Sequence, residues 1–238
     1  MRNIIKHYLR KSGYEIRKYT DNSEHQNLLK LLRHFKIRTV LDVGANVGQY
    51  STRLRTLGYD QEIISFEPLP SAVETLKKIS ARDPKWKVLQ LALGEQKERK
   101  TLHVSANSYS SSFLEMSEML LDVAPQATYV DAVEVQVDIL DSVLEIGEIA
   151  TPIFLKIDSQ GFEIPVLKGA QKMIAEKNII GLQLEMSLTP LYENEPLYNE
   201  VMRFVEELGF TLYSIDPGLT DQKSGRMLQV DGIFFLNE

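Results

Sequence analysis

Short apolar runs alternate with stretches of helical periodicity along most of the chain. The runs predict strands, because they are rich in β-branched and aromatic side chains and are bounded by turn residues. These predicted strands are residues 39–43, 62–67, 86–93, 101–105, 132–137, 152–158, 179–185, 210–215 and 231–236. Repeated strand–helix alternation is typical of a mainly parallel sheet with helices on both faces. No helix separates the last two strands, so we expect them to pair antiparallel.

The intervening stretches carry helix start and stop signals. Tyr50, Leu54 and Leu57 fall at helical spacing, and Gly58 follows them as a stop. Residues 71–74, SAVE, have the form of a capping box that opens a second helix. The further predicted helices are a short one capped by Asp138 and ending near Ile146, one at residues 162–174 with Pro165 in its first turn, and one at residues 195–209 between Pro196 and Gly209.

Composition is ordinary for a globular protein and narrows the chemistry. The 238 residues are 43% hydrophobic and 25% charged, and they fit one α/β domain. A net charge of -6 argues against broad nucleic-acid binding, and the lack of cysteine excludes thiolate metal sites and cysteine nucleophiles. We find neither a signal-peptide pattern nor an apolar run of the roughly 18 residues that a membrane span needs. A cytoplasmic location is therefore predicted.

The N-terminus differs from the rest of the chain in its charge. Residues 1–19 carry six Lys and Arg side chains and a single acid, Glu15. Residues 1–35 are predicted to form an N-terminal helical extension. Residues 1–20 either rest on an anionic membrane surface or a partner, which makes the protein membrane-peripheral, or pack on the domain as a solvated helix.

The sequence VLDVGANVGQYS at residues 40–51 has the form of a ligand loop. In a parallel α/β sheet, ligands bind beyond the carboxyl ends of the strands, where this loop begins. The dinucleotide fingerprint fails because Asn46 and Gln49 stand where it needs glycines. The phosphate-loop pattern fails because Gly48 is followed by Gln49 and Tyr50.

What remains is an acid and two glycines, Asp42, Gly44 and Gly48. A loop with no Lys or Arg in residues 40–52 is a poor pyrophosphate cradle, although backbone N–H groups at a helix start can hold one carboxylate. An acid beside that position suggests a ligand that also carries an amine. S-adenosylmethionine has the carboxylate, the amine and a sulfonium charge.

The second predicted strand supports this ligand. It ends in FEP, which places Glu67 at a strand tip 19 residues beyond Gly48. An acid there can accept both ribose hydroxyl hydrogens and would repel the 2′-phosphate of NADP.

Three motifs, VLDVGANVGQYS, FEP and LKIDSQGFE (residues 155–163), resemble those of the FkbM-type S-adenosylmethionine-dependent methyltransferases. The resemblance runs from about residue 38 to the C-terminus, and the third motif is the most specific. It implies a class I methyltransferase domain at residues 36–238. This is a Rossmann-like α/β three-layer sandwich with a mostly parallel seven-stranded sheet and an antiparallel last strand. It also implies O-methylation, often of sugar or polyketide hydroxyls. Ser159 and Gln160 stand where the family often has a small apolar residue and an acid.

The expected cofactor-binding residues come from the first loop and the ends of the following strands. They are Asp42, Gly44, Ala45, Asn46, Gly48, Tyr50, Phe66, Glu67, Pro68, Leu93 and Asp158.

Methyl transfer to an alcohol benefits from a general base that takes the hydroxyl proton. The candidates are Asp158 and Glu185, each at a strand end, although either one could instead cap a helix or pair with Lys156. Glu163 is expected to stabilise the start of its helix. Strand-end carboxylates could hold Mg²⁺, but no fixed ligand spacing is present, so we assign no metal ligands. The histidines, His7, His25, His34 and His103, show no pairing.

Residues 105–131 are too long for a plain connection and are a candidate lid or substrate segment. Their Ser-rich start, SYSSSF at residues 108–113, could bring hydroxyls to the adenine or to the acceptor, or could be only a flexible loop.

The function predicted is O-methylation of a hydroxyl of a sugar, glycolipid or related metabolite. Two alternatives stay open. One is an NAD-dependent oxidoreductase or epimerase, which the missing fingerprint glycines disfavour. The other is a non-catalytic scaffold that binds S-adenosylmethionine.

Overall fold

The structure is a computed structural model that describes Lys11 and residues 24–236. The predicted membrane-surface helix of residues 1–20 therefore lies, apart from Lys11, outside the described residues. That contact and the boundary of the N-terminal extension near residue 35 stay predictions.

Residues 24–236 form ten strands. They are β1 (Thr39–Val43), β2 (Glu62–Phe66), β3 (Trp86–Leu89), β4 (Ala92–Leu93), β5 (Glu98–Ser105), β6 (Tyr129–Asp138), β7 (Ile153–Ile157), β8 (Ile179–Ser187), β9 (Phe210–Pro217) and β10 (Gln229–Leu236). Seven of the described strands form the main sheet in the order β3-β2-β1-β7-β8-β10-β9, and a smaller sheet has the order β4-β6-β5.

Strand direction in the main sheet follows the prediction. The first five strands of that order pair in parallel, while β10 is antiparallel to both β8 and β9. Every residue of β1 and of β7 is buried, because helices cover both faces of these central strands. The fold predicted from the resemblance, with its antiparallel last strand, is confirmed.

Residues 24–236 contain eight α-helices. They are α1 (Glu24–His34), α2 (Gln49–Leu57), α3 (Pro70–Ser80), α4 (Glu118–Val123), α5 (Leu140–Val143), α6 (Glu163–Lys168), α7 (Gln171–Ala175) and α8 (Tyr198–Glu207). One face of the sheet packs against α6, α7 and α8 through Val166, Met173 and Val201. The other face packs against α1, α2 and α3 through residues such as Leu54 and Leu76.

One predicted strand is split between the two sheets. Of residues 86–93, Trp86–Leu89 pairs with β2, whereas Ala92–Leu93 pairs with β6 in the small sheet. The main chain of Glu67 marks the change, since its N–H donates to Leu89 O and its carbonyl accepts from Leu91 N, both at 3.1 Å. The partner strand β2 ends at Phe66, so the chain leaves the main sheet there.

Helix starts and lengths account for three further corrections. The predicted capping box at residues 71–74 is wrong, because α3 begins at Pro70 without a side-chain cap and proline itself suits the first turn. The predicted helix at 162–174 is two short helices, α6 and α7. They separate at Gly169, where an added Cβ would lie 2.1 Å from the Gly94 carbonyl oxygen. Asp138 does not cap α5. Its carboxylate accepts from Ile139 N at 2.9 Å instead.

None of the helices in the described part of the chain has the length and apolarity needed to cross a membrane.

Candidate active site

A cavity of about 490 Å³ opens at the carboxyl ends of β1, β2, β7 and β8. This volume is within the usual range for small-molecule sites. Residues 44–46 and Glu67 form one part of the lining, which we call the loop end. Asp158, Gln160, Glu185 and Asp231 form another part, which we call the acid end.

Two glycines allow the loop to make its turn. Gly44 has φ of 72°, and an added Cβ would lie 1.9 Å from the carbonyl oxygen of Asp158. Gly48 has φ of 91° and precedes α2, where a Cβ would lie 2.5 Å from Leu76 Cδ1. Both positions therefore need a residue that has no side chain and tolerates positive φ.

Glu67 ties the loop to the end of β2. Its Oε2 accepts from Asn46 N at 2.8 Å, and its Oε1 accepts from Leu69 N at 2.9 Å. Burial raises the pKa of Glu67, and these two hydrogen bonds oppose the rise. Each carboxylate oxygen can accept a further hydrogen bond, so Glu67 retains capacity for a ligand that reaches the cavity.

Asp42 lies behind the loop and not in the cavity wall. It is fully buried, its Oδ2 accepts from Ser51 Oγ at 2.7 Å, and its Oδ1 lies 3.1 Å from Lys156 Nζ. The residues that line the cavity include neither Asp42 nor Gly48. Both residues support the loop from behind, and their direct contact with a cofactor stays a prediction.

The other predicted cofactor residues do line the cavity. They are Gly44, Ala45, Asn46, Tyr50, Phe66, Glu67, Pro68, Leu93 and Asp158. Their contact with a cofactor stays a prediction.

Lys156 connects the loop end to the acid end. Its Nζ lies 3.1 Å from Asp42 Oδ1 and 3.5 Å from Asp158 Oδ2, and it donates to Gly44 O at 3.2 Å. Burial alone would lower the pKa of Lys156, but the two carboxylates raise it above its ordinary value. Lys156 is therefore a permanent cation that neutralises part of the acid charge.

Both candidate bases, Asp158 and Glu185, lie at the acid end, and the structure adds Asp231. The register of β8 and β10 places Asp231 directly opposite Glu185. Burial raises the pKa of Glu185 and of Asp231, and the nearby charge of Asp158 adds to the rise in each. The pKa of Asp231 reaches about 6. Asp231 was not among the predicted site residues, although the antiparallel direction of the last strand is a usable signal. The start of that strand must lie at the edge where parallel strands end.

Gln160 joins two of these acids. Its Nε2 donates to Asp158 Oδ1 at 2.8 Å and to Glu185 Oε2 at 2.5 Å, and its Oε1 accepts from Tyr192 OH at 2.7 Å. Gln229 also donates to Glu185 Oε2, at 3.0 Å. No local sequence pattern indicates the contacts that involve Glu185, Tyr192 and Gln229, because these partners come from distant segments of the chain.

The Ser-rich segment packs on the site. Ser108 Oγ accepts from Asn46 Nδ2 at 3.1 Å, and Ser112 Oγ donates to Gln160 O at 2.6 Å. Ser108, Tyr109 and Ser111 line the cavity. The segment is thus part of the site, whereas the choice between adenine and acceptor as its partner stays open.

Glu163 supports the turn before its helix, as expected. Its Oε1 accepts from Ser159 N at 3.0 Å, Ser159 Oγ at 3.2 Å and Gly161 N at 3.3 Å. Burial raises its pKa to about 7.

Histidine and metal chemistry receive no support from the described residues. His103 stacks on Tyr129 and lies 3.5 Å from Glu115, and it is not among the residues that line the cavity. In residues 24–236 we find no group of three or more His, Cys, Asp or Glu residues arranged to hold a metal ion.

Solved structures with a similar fold include TehB from Haemophilus influenzae. It is 12% identical, with 98% of this chain and 67% of that chain covered and a TM-score of 0.48. Another is the glycopeptide N-methyltransferase MtfA complexed with S-adenosyl-L-methionine. It is 11% identical, with coverages of 92% and 90% and a TM-score of 0.45. Similarities at these TM-scores do not indicate function.

The hexuronic acid methyltransferase AglP from Haloferax volcanii is a relative by sequence. It is 26% identical over 149 residues, which are 63% of this chain and 56% of that protein. The matched part is thus little more than half the length of AglP.

Residues 42–212 match the family described as the methyltransferase FkbM domain. The match begins at the end of β1 and reaches into β9, so it contains the loop, Glu67 and the segment from Lys156 to Glu163. This confirms the resemblance found in the three motifs, and the chain belongs to the methyltransferase FkbM domain family.

Proposed function

We propose that this chain is an S-adenosylmethionine-dependent O-methyltransferase that acts on a hydroxyl of a sugar, glycolipid or related metabolite. S-adenosylmethionine is the cofactor of the family to which the chain belongs. The observation that carries the proposal is one cavity that is lined both by the loop with Glu67 and by two candidate bases, Asp158 and Glu185. Membership of this family argues against the NAD-dependent alternative.

The loop end fits the cofactor. A cavity of about 490 Å³ holds a ligand of this size. Glu67 lies at the tip of β2, where an acid can accept ribose hydroxyls, and Leu93 and Phe113 provide apolar surface for a flat base. Asp42 is fully buried and so does not reach a cofactor amine, whereas the side chain of Asp158 is 38% exposed.

Bound S-adenosylmethionine supplies an activated methyl group. The chain's own residues then orient the acceptor, exclude water and take the proton that the acceptor hydroxyl loses. Asp158 is the first candidate base because it is the more accessible carboxylate. Glu185 is the second, because its raised pKa brings it closer to the pH at which a base is most effective.

A sugar suits the acid end on chemical grounds. Carboxylates and the side-chain amide of Gln183 line this end, and such groups hydrogen-bond the closely spaced hydroxyls of a sugar. The similarity to AglP, a methyltransferase of hexuronic acid, supports a sugar acceptor as well.

Two measurements test the proposal. S-adenosylhomocysteine should raise the melting temperature by mass action, and NAD should not. Methylation is then assayed by mass spectrometry with methyl glycosides of glucose, N-acetylglucosamine and glucuronic acid. Methylation of a hydroxyl in this panel supports the proposal. Stabilisation by NAD alone would contradict it, and cofactor binding with no methylation of any glycoside would favour the scaffold alternative.

A further inference from the structure

Gln160 is held in an unusual position in the turn that follows β7. Its φ is 52°, a left-handed backbone that residues other than glycine rarely adopt. Its carbonyl oxygen accepts from Ser112 Oγ at 2.6 Å, which links this turn to the Ser-rich segment. The backbone and the side chain of Gln160 are therefore both fixed by hydrogen bonds.

The neighbours of the amide determine its orientation. An ionised carboxylate can only accept hydrogen bonds, so the NH₂ group must face Asp158 and Glu185. The amide oxygen is then left to the hydroxyl of Tyr192, a side chain that is only 1% exposed. All three contacts are satisfied only in this orientation.

The charges around Glu185 show why such a donor matters. Glu185 is half-buried. Asp158, in the turn that follows β7, and Asp231, on β10, are the acids that affect it most. Burial, these two acids and Glu163 raise the pKa of Glu185, whereas Lys156 opposes the rise. Hydrogen bonds to an ionised group favour the ionised form, so the amides of Gln160 and Gln229 offset part of this effect.

We infer that Gln160 is a positioning residue for the reaction proposed above. Its amide holds the carboxylates of Asp158 and Glu185 at a fixed separation and stabilises the ionised form of Glu185, so that one of the pair can take the acceptor proton. This inference rests on the proposed function. The two N–H bonds of one nitrogen reach two carboxylates at once, which a residue with a single donor cannot do.

Three substitutions and one control separate this role from simple packing. Gln160→Met keeps an unbranched chain of similar length at the same positive φ but removes both donors. Gln160→Glu introduces a third acid. If that acid is ionised it repels its neighbours, and if it is protonated it has one donor for two acceptors. Tyr192→Phe removes only the hydroxyl that fixes the amide. Gln222→Met, in an exposed loop where Gln222 donates to Thr220 O, is the matched control.

The first measurement is the pH dependence of kcat/KM with the glycoside that the parent protein methylates. A charged hydrogen bond of about 1.5–3 kcal/mol corresponds to a shift of about one to two pH units. The acid limb of the Gln160→Met profile should therefore move up by about that amount, with much of the lost rate recovered at higher pH. Gln160→Glu should shift the limb further and Tyr192→Phe less, while Gln222→Met should match the parent. Affinity for S-adenosylhomocysteine should stay within about threefold in all four.

The second measurement needs no acceptor. Side-chain carboxyl ¹³C resonances, assigned with Asp158→Asn and Glu185→Gln, are titrated in the parent and in Gln160→Met. Higher titration midpoints in the variant support the inference even if no glycoside is methylated, in which case only the proposed function fails. Unchanged midpoints overturn the inference, and so does a loss of activity that is equal at every pH.

Discussion

At the loop end of the cavity, main-chain atoms set the geometry, whereas at the acid end side chains set it. Gly44 and Gly48 adopt positive φ, and Glu67 fixes the loop by accepting two backbone N–H groups. At the acid end, Gln160 bridges Asp158 and Glu185 through its side chain alone. Where the main chain sets the geometry, few residues can replace the glycines. Where side chains set the geometry, a single substitution can change the chemistry of the site. We expect the loop end to fix the cofactor and the acid end to determine the reaction.

The largest expected effect belongs to the acid end. General-base contributions are about 10²–10⁴-fold, so Asp158→Asn should lower turnover by about that factor. Affinity for S-adenosylhomocysteine should stay within a few-fold. Single-turnover methylation and calorimetry measure the two quantities.

The corresponding substitution at the other candidate base, Glu185→Gln, is the comparison. If Asp158→Asn turns over normally and Glu185→Gln does not, then Glu185 is the base. A collapse of cofactor affinity in Asp158→Asn would assign Asp158 to the loop end instead.

A glycine pair tests the backbone constraint at the loop end. In Gly44→Ala the new Cβ would lie 1.9 Å from the Asp158 carbonyl oxygen at φ of 72°, so the loop or β7 must move. We expect a loss of about 3 kcal/mol or more in the free energy of unfolding, because overpacking adds to the backbone strain. Cofactor binding should also be lost.

Gly225→Ala is the control, since Gly225 has φ of 74° and no heavy atom within 4 Å of the added Cβ. Backbone strain alone should destabilise this variant by about 1–2 kcal/mol. Urea denaturation compares the two proteins. Equal losses would mean that the close approach of Gly44 to β7 imposes no constraint.

Glu163 gives a prediction on pH and stability. Burial raises its pKa from 4.5 to about 7, so between these values the folded protein binds more protons at this site than the unfolded chain does. This contribution therefore makes stability fall as pH rises from about 4.5 to 7 and is constant above that range. Glu163→Gln removes the dependence. The free energy of unfolding of Glu163→Gln, relative to that of the parent, should therefore increase across this pH range by at most about 3 kcal/mol.

Thermal or urea unfolding of both proteins at several pH values measures that difference. The amide introduced by Glu163→Gln keeps one oxygen that can accept from the backbone N–H groups of Ser159 and Gly161. A difference that does not change between pH 4.5 and 7 would show that Glu163 titrates normally in the folded protein.

The loop end could be predicted from the sequence because its signals are local. The strand, the glycines and the acid at the tip of the next strand lie within residues 39–67, and β1 has the predicted bounds Thr39–Val43. The burial of Asp42 could not be foreseen in this way. It follows from a buried lysine, Lys156, that comes from another strand.

The acid end was predicted only in part. Asp158 and Glu185 follow from strand ends, but Asp231 requires the direction of β10, and the Gln160 contacts require the position of Tyr192. Helix boundaries failed where a backbone contact decided them, as at Gly169 beside Gly94. Apolar periodicity records which face is buried and contains no information about such close approaches.

Calorimetry with S-adenosylhomocysteine on the parent, Glu67→Ala and Asp158→Asn tests most directly that the loop end holds the cofactor. A charged hydrogen bond is worth about 1.5–3 kcal/mol, so Glu67→Ala should bind about tenfold more weakly or worse. Its fold should survive, because Glu67 lies at a strand tip, and circular dichroism checks this. Asp158→Asn should bind within a few-fold of the parent. Unchanged affinity in Glu67→Ala, or an equal loss in both variants, would contradict the division of the cavity into a loop end and an acid end.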